Sequence, residues 1–91
     1  MNQFKFLWVT RDSEVQLIRL DEVELITAKP NGGNGQVIIN MKSGRQFVAK
    51  DTKSHKQGIN WAKCLVEAIA SQAKAGQTIL LERDVDKLAA S

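Results

Sequence analysis

Halfway along the chain the apolar residues change their period, and that change decides the fold class. From Ile59 they fall at 59, 62, 65, 66, 69, 70 and 73, the spacing of one face of a helix. Lys56, Asn60, Lys63, Glu67 and Lys74 take the opposite side. Ser54 followed by Gln57 fits a capping box. Gly76, with Lys74 just before it, fits a left-handed helix terminus with a cation near it. The spacing predicts one long helix over about 55–75. Gly58 in its first turn is less favourable than alanine by about 1 kcal/mol, so the start is defined only to within a turn.

Before that point the chain reads as strands, over about 3–50. Phe4, Phe6 and Trp8 alternate with Lys5, Leu7 and Val9, and "TRDSE" has turn composition. "VQLIRL" and "DEVELITA" follow, with Asp21-Glu22 marking a bend or bulge, since acidic pairs are depleted inside strands. Lys29-Pro30 ends that strand. The run Asn31-Gly32-Gly33-Asn34-Gly35 then turns the chain into "QVIINM". It is no phosphate cradle, because the next element is a strand and not a helix N-terminus with a Lys-Ser/Thr signature.

Ser43-Gly44 suits a two-residue hairpin turn into "RQFVAK". That turn sets Met41 against Gln46, Asn40 against Phe47 and Ile39 against Val48. Val37, Ile39, Met41 and Val48 then form a core face. Ile38, Phe47 and Ala49 lie on the other face beside Asn40, Lys42 and Arg45. After the helix, 77–83 reads as a further strand or extended segment, and 84–91 as a last helical turn capped by Asp84 or a frayed tail.

Ninety-one residues are expected to form one domain with a modest core. The apolar run "FLWV" is too short to cross a membrane, "MNQFKFLWV" lacks the features of a secretory signal, and one cysteine allows no internal disulfide. A cytoplasmic protein without membrane attachment is the expectation. The net charge of +3 is only mildly basic.

Catalytic chemistry finds little to work with. His55 and Cys64 lie nine positions apart on one helix, roughly 13 Å along its axis, too far for proton transfer. Metal-ligand spacing is absent, and Asp12, Glu14, Asp21, Glu22 and Glu24 match no calcium loop. The expectation is a non-enzyme with no cofactor. The best anion candidate is "KDTKSHK", where Lys50, Lys53, His55 and Lys56 cluster between strand and helix and Lys42 and Arg45 extend the patch. Trp61, Cys64 and Ala68 form a second apolar stripe on the helix. With Ile38 and Phe47 they are the candidate self-association surface.

The pieces "VTRDSEVQLIRLDEVELITAKP" and "VIINMKSGRQFVAKD" resemble the small flagellar protein FlbD family over roughly Val9 to Thr52. The shared order is a Thr-Arg strand, a second strand, a Glu-x-Ile stretch ending near a proline, and a hairpin of the form apolar–Gly–basic–aromatic–Val. The glycine loop is longer here and the long helix departs from that order. The family brings no defined functional residues. The same strand-then-helix order resembles small binding domains such as pleckstrin-like modules.

The whole reads as α+β: a curved, barrel-like antiparallel sheet of about four to five strands with one main C-terminal helix packed on it. The favoured role is a non-catalytic protein–protein interaction module, a homodimer or higher oligomer with a further protein partner unspecified. The alternative is a nucleic-acid-binding regulator using the basic patch.

Overall fold

The computed structural model describes residues 3–71 and 73–90. Gln72, inside the expected helix, and Ser91, at the end of the expected tail, lie outside them. The order is β1 (Phe6–Arg11), β2 (Glu14–Arg19), β3 (Val23–Asn31), β4 (Asn34–Met41), β5 (Gln46–Thr52), α1 (His55–Ala70), β6 (Ile79–Leu81) and α2 (Glu82–Ala90). The class is α+β, but the strands fall into two open three-stranded sheets, ordered β2-β1-β6 and β3-β4-β5. Two sheets thus replace the single barrel-like one. A short 3-10 turn at Leu20–Glu22 breaks the long apolar run where the Asp21-Glu22 bend was expected. The chain divides into two compact units, Met1–Asp21 with Cys64–Ser91, and Glu22–Lys63.

In the first unit β1 and β2 pair antiparallel through a turn at Asp12-Ser13. Both residues have positive φ, 52° and 64°, as a type I′ hairpin turn requires. β6 pairs parallel to β1, Phe6 with Ile79 through Trp8 with Leu81. This register puts Leu7, Val9, Ile18 and Leu80 on one face, each 3% exposed or less. Thr10 lies beyond the last residue paired with β6, and its N–H donates to Glu82 Oε1 at 3.1 Å. The expected extended segment is therefore a three-residue strand. The tail beyond it is ordered as α2, with Glu82 and Asp84 in the first turn, where acidic groups are favoured, and Val85 fully buried.

In the second unit the glycine run makes a two-residue turn, with Asn31 opposite Asn34. Gly32 has φ of 63°, at the position where a type II′ turn takes glycine. Pro30 does not end β3. It pairs with Gly35 inside an edge strand, where a missing N–H is tolerated. Gly35 answers a different need: a Cβ there would lie 2.4 Å from the Ser54 carbonyl oxygen and 2.6 Å from Thr52 Oγ1. The start of β4 thus presses directly on the connection from β5 to α1.

The β4–β5 hairpin corrects the expected register. Met41 N–H donates to the Arg45 carbonyl at 2.8 Å, and Gly44 N–H to the Met41 carbonyl at 2.9 Å. Gly44, at φ of 92°, is the left-handed third residue of a three-residue loop. One added loop residue slides the strands by one, so Asn40 faces Gln46, Ile39 faces Phe47 and Ile38 faces Val48. Phe47 changes face and joins Ile39, while Val48 joins Ile38.

Helix α1 begins as expected. Gln57 N–H donates to Ser54 Oγ at 3.2 Å, and Lys53 N–H to Gln57 Oε1 at 3.1 Å. It ends earlier, at Ala70, and the Ser71 hydroxyl that follows donates to the Ala68 carbonyl at 2.7 Å. Gly76 (φ 79°) and Lys74 belong instead to a separate turn, closed by Gln77 N–H on the Lys74 carbonyl at 2.9 Å. The helix is also rotated from expectation. Gly58, Trp61, Cys64, Leu65 and Ala68 are buried, whereas Ile59 and Val66 are exposed. The buried arc is the one that carries Trp61, the largest side chain of the helix.

Gly35→Ala is expected to cost about 1–3 kcal/mol, since backbone atoms must shift to admit the methyl. Ser13→Gly, which relieves a left-handed serine, is expected to gain up to about 1 kcal/mol. Thermal unfolding checks both, at roughly 4–8 °C per kcal/mol for a chain of this size.

Candidate functional site

The basic residues do not assemble as one patch. Lys42 and Arg45 sit at the loop end of β5, and Lys53, His55 and Lys56 follow its other end. Seven residues of extended chain separate them, on the order of 20 Å. Two of the cations are engaged with rings: the Arg45 guanidinium carbon lies 5.4 Å from the Phe47 centroid, and Lys50 Nζ lies 6.0 Å from that of Trp61. At the helix start the remaining cluster is Lys53, His55 and Lys56. Ser54 and Gln57 already use backbone N–H groups there that an anion would need. His55 Nδ1 is buried and has no hydrogen-bond partner.

The apolar candidates lie inside the chain. Trp61 is 3% exposed, and Cys64, Ala68 and Ile38 are also buried. Phe47 is half-buried and, through the shifted register, on the opposite face of its sheet from Ile38. Trp61, Cys64, Ala68 and Ile38 form core and offer little surface to a second copy, and the half-buried Phe47 does not share a face with Ile38.

Of the large apolar side chains that are exposed, Trp8, Val15 and Leu17 gather on one face of the first sheet, while Leu25, Ile59, Val66 and Leu88 lie on other elements. Opposed residues of paired strands share a face, so Phe6, Trp8 and Thr10 lie with Arg19, Leu17 and Val15. Ile79 and Leu81 of β6 extend the row. Trp8 is 38% exposed, Val15 53% and Leu17 52%, against 3% or less for the inner face. A sheet face in water normally alternates to polar residues; this one is apolar on both sides. The charge beside it is balanced, because Arg19 Nη2 contacts Asp21 Oδ2 at 2.9 Å.

The sequence carried a signal for this face. The Asp12-Ser13 turn alone sets Thr10 against Val15 and Trp8 against Leu17. The apolar run at 6–9 leaves one of its faces without polar cover.

The first unit also holds two open grooves. One of about 770 Å³ is lined by Phe4, Phe6, Leu20 and Ile69 with Lys5, Arg19 and Asp21 at its polar side. The other, about 500 Å³, lies among Phe4, Ala68, Leu80, Leu88, Lys74, Asp84 and Lys87. Neither is lined by histidine or cysteine. Among the described residues no three His, Cys, Asp or Glu side chains stand close enough to hold a metal ion. No helix among them is long and apolar enough to cross a membrane. No protein-family model, curated protein or solved structure matches the chain.

The two tryptophans separate core from surface. Trp61→Ala is expected to cost about 3–5 kcal/mol, and Trp8→Ala under about 1.5 kcal/mol. Urea unfolding of the two variants at low protein concentration measures both.

Proposed function

We propose that this chain is a small, non-catalytic, cytoplasmic interaction module that acts through protein–protein contact and associates with itself. One observation carries the reading: the outer face of the β2-β1-β6 sheet, where Trp8, Val15 and Leu17 stand together in solvent. Removing such a contiguous apolar patch from water is favourable by about 25 cal/mol per Å², and monomeric proteins rarely leave one uncovered. Its near-neutral surroundings suit an apolar partner surface rather than a polyanion. A closed pair of copies is the simplest assembly that supplies one.

The FlbD-like order of residues 9–52 brings no site residue to this reading, which rests on the outer face of the first sheet. The alternative, nucleic-acid binding, would rest on Lys53, His55 and Lys56 without Lys42 or Arg45.

Size-exclusion chromatography with light scattering over a dilution series tests the proposal. The wild-type chain is expected to associate, and the double variant Trp8→Thr, Leu17→Thr to run as a monomer with unchanged circular dichroism. A wild-type chain that stays monomeric at the highest concentration removes the support for self-association.

A further inference from the structure

We infer that the second copy joins along the free edge of β2, antiparallel, with Gln16 of each copy opposite Gln16 of the other. This rests on the self-association reading above and adds its geometry.

The edges of the two sheets are not equally protected. β3 carries Lys29, Pro30 and a register shift between Val23 and Leu25, all devices that discourage a new strand. β5 carries Lys50 and Asp51 beside a register shift opposite Val37 and Ile38. β6 has only three residues. β2, by contrast, has six residues, "EVQLIR", with no proline, glycine, lysine or bulge. It is the one edge here built to accept another strand.

The strand's charges select its orientation. Glu14 opens β2 and Arg19 closes it. Parallel self-pairing sets Glu14 against Glu14 and Arg19 against Arg19, whereas antiparallel pairing keeps the like charges at opposite ends.

The faces then restrict the register. Antiparallel pairing about a two-fold axis keeps the outer face of both copies on one side, so Val15 and Leu17 must meet outer-face residues of the other copy. Two central registers satisfy this. One sets Leu17 against itself, with Val15 facing Arg19. The other sets Val15 against Leu17 on both sides of the axis and Gln16 against Gln16. The second makes two apolar pairs on the outer face and leaves no arginine over a valine; on the inner face it sets Glu14, at the strand end, opposite Ile18.

An independent observation favours the same register. Gln16 Oε1 is buried with no hydrogen-bond partner in the single chain. An unsatisfied buried acceptor costs about 1–3 kcal/mol. Directly opposed Cβ atoms in an antiparallel pair are about 4.5–5.5 Å apart, within reach of paired side-chain amides. Turned across the axis, each Gln16 amide donates to the oxygen of the other, and both orphan acceptors are satisfied. Val15 and Leu17 are more exposed than Trp8 because β2 is an edge strand and each lacks a neighbouring strand on one side.

Cysteine cross-linking tests this on the full chain carrying Cys64→Ala. Gln16→Cys is expected to form a disulfide-linked dimer under mild oxidation, because opposed strand residues lie within the 4.4–6.8 Å Cα range that a disulfide spans. Leu17→Cys, and Leu88→Cys on α2, are expected to cross-link far more slowly. Val15→Lys, an exposed edge substitution, is expected to weaken association about tenfold with unchanged monomer unfolding. Faster cross-linking through Leu17→Cys overturns the register. Association of the wild type with no Gln16→Cys cross-link, or undiminished by Val15→Lys, overturns the edge pairing and leaves the self-association reading standing. A wild-type chain that never associates overturns both.

Discussion

The parallel pairing of β1 with β6 is the contact on which the first unit depends. It joins residues from the two ends of the chain, Leu7 opposite Leu80, and both side chains are almost wholly buried. Only through β6 is β1 a central strand with a dry inner face. Helix α2 follows β6 without a loop, so Val85 reaches the core and Glu82 meets the Thr10 N–H from a position that β6 fixes. Parallel strands need a long crossover. Here the crossover includes the whole second unit.

How far the sequence could be read follows from the range of the forces involved. Local signals translated directly: the Ser54–Gln57 cap, the glycine turn, the acidic bend at Asp21-Glu22 and the change of period near residue 55 are each decided within a few residues. The differences arose where several local options were equally open. Serine-glycine fits a two-residue or a three-residue hairpin, and the left-handed Gly44 made it three. Apolar residues cover so much of α1 that its period defines a helix without defining which arc turns inward; the arc of Trp61, Cys64, Leu65 and Ala68 is the buried one. Nothing local in "ILL" indicates that it pairs parallel with a strand some seventy residues earlier.

The candidate surface shows the same limit. Clustered lysines in the sequence suggested one basic patch, yet an extended strand carries charges at its two ends far apart. The apolar face of the first sheet was hidden for the opposite reason. Its residues are unremarkable singly, and only the pairing of β1 with β2 collects them on one side. Arg45 and Lys50, candidates for that patch, each bring their charged head over an aromatic ring.

The interrupted first unit has a consequence for how the chain acquires its structure. Residues Glu22–Lys63 are contiguous, and their two hairpins join neighbours in sequence, contacts with a small loop-closure cost. The first sheet cannot be completed until Ile79–Leu81 arrives, which gives its closing step a high contact order. On a ribosome the inserted unit can therefore fold while β1 and β2 wait as a lone hairpin, their apolar faces open. Pulse-labelled hydrogen exchange during refolding would show this as protection in β4 ahead of β1, and equal rates would refute it. That interval, before β6 pairs with β1, is when the chain is most exposed to aggregation.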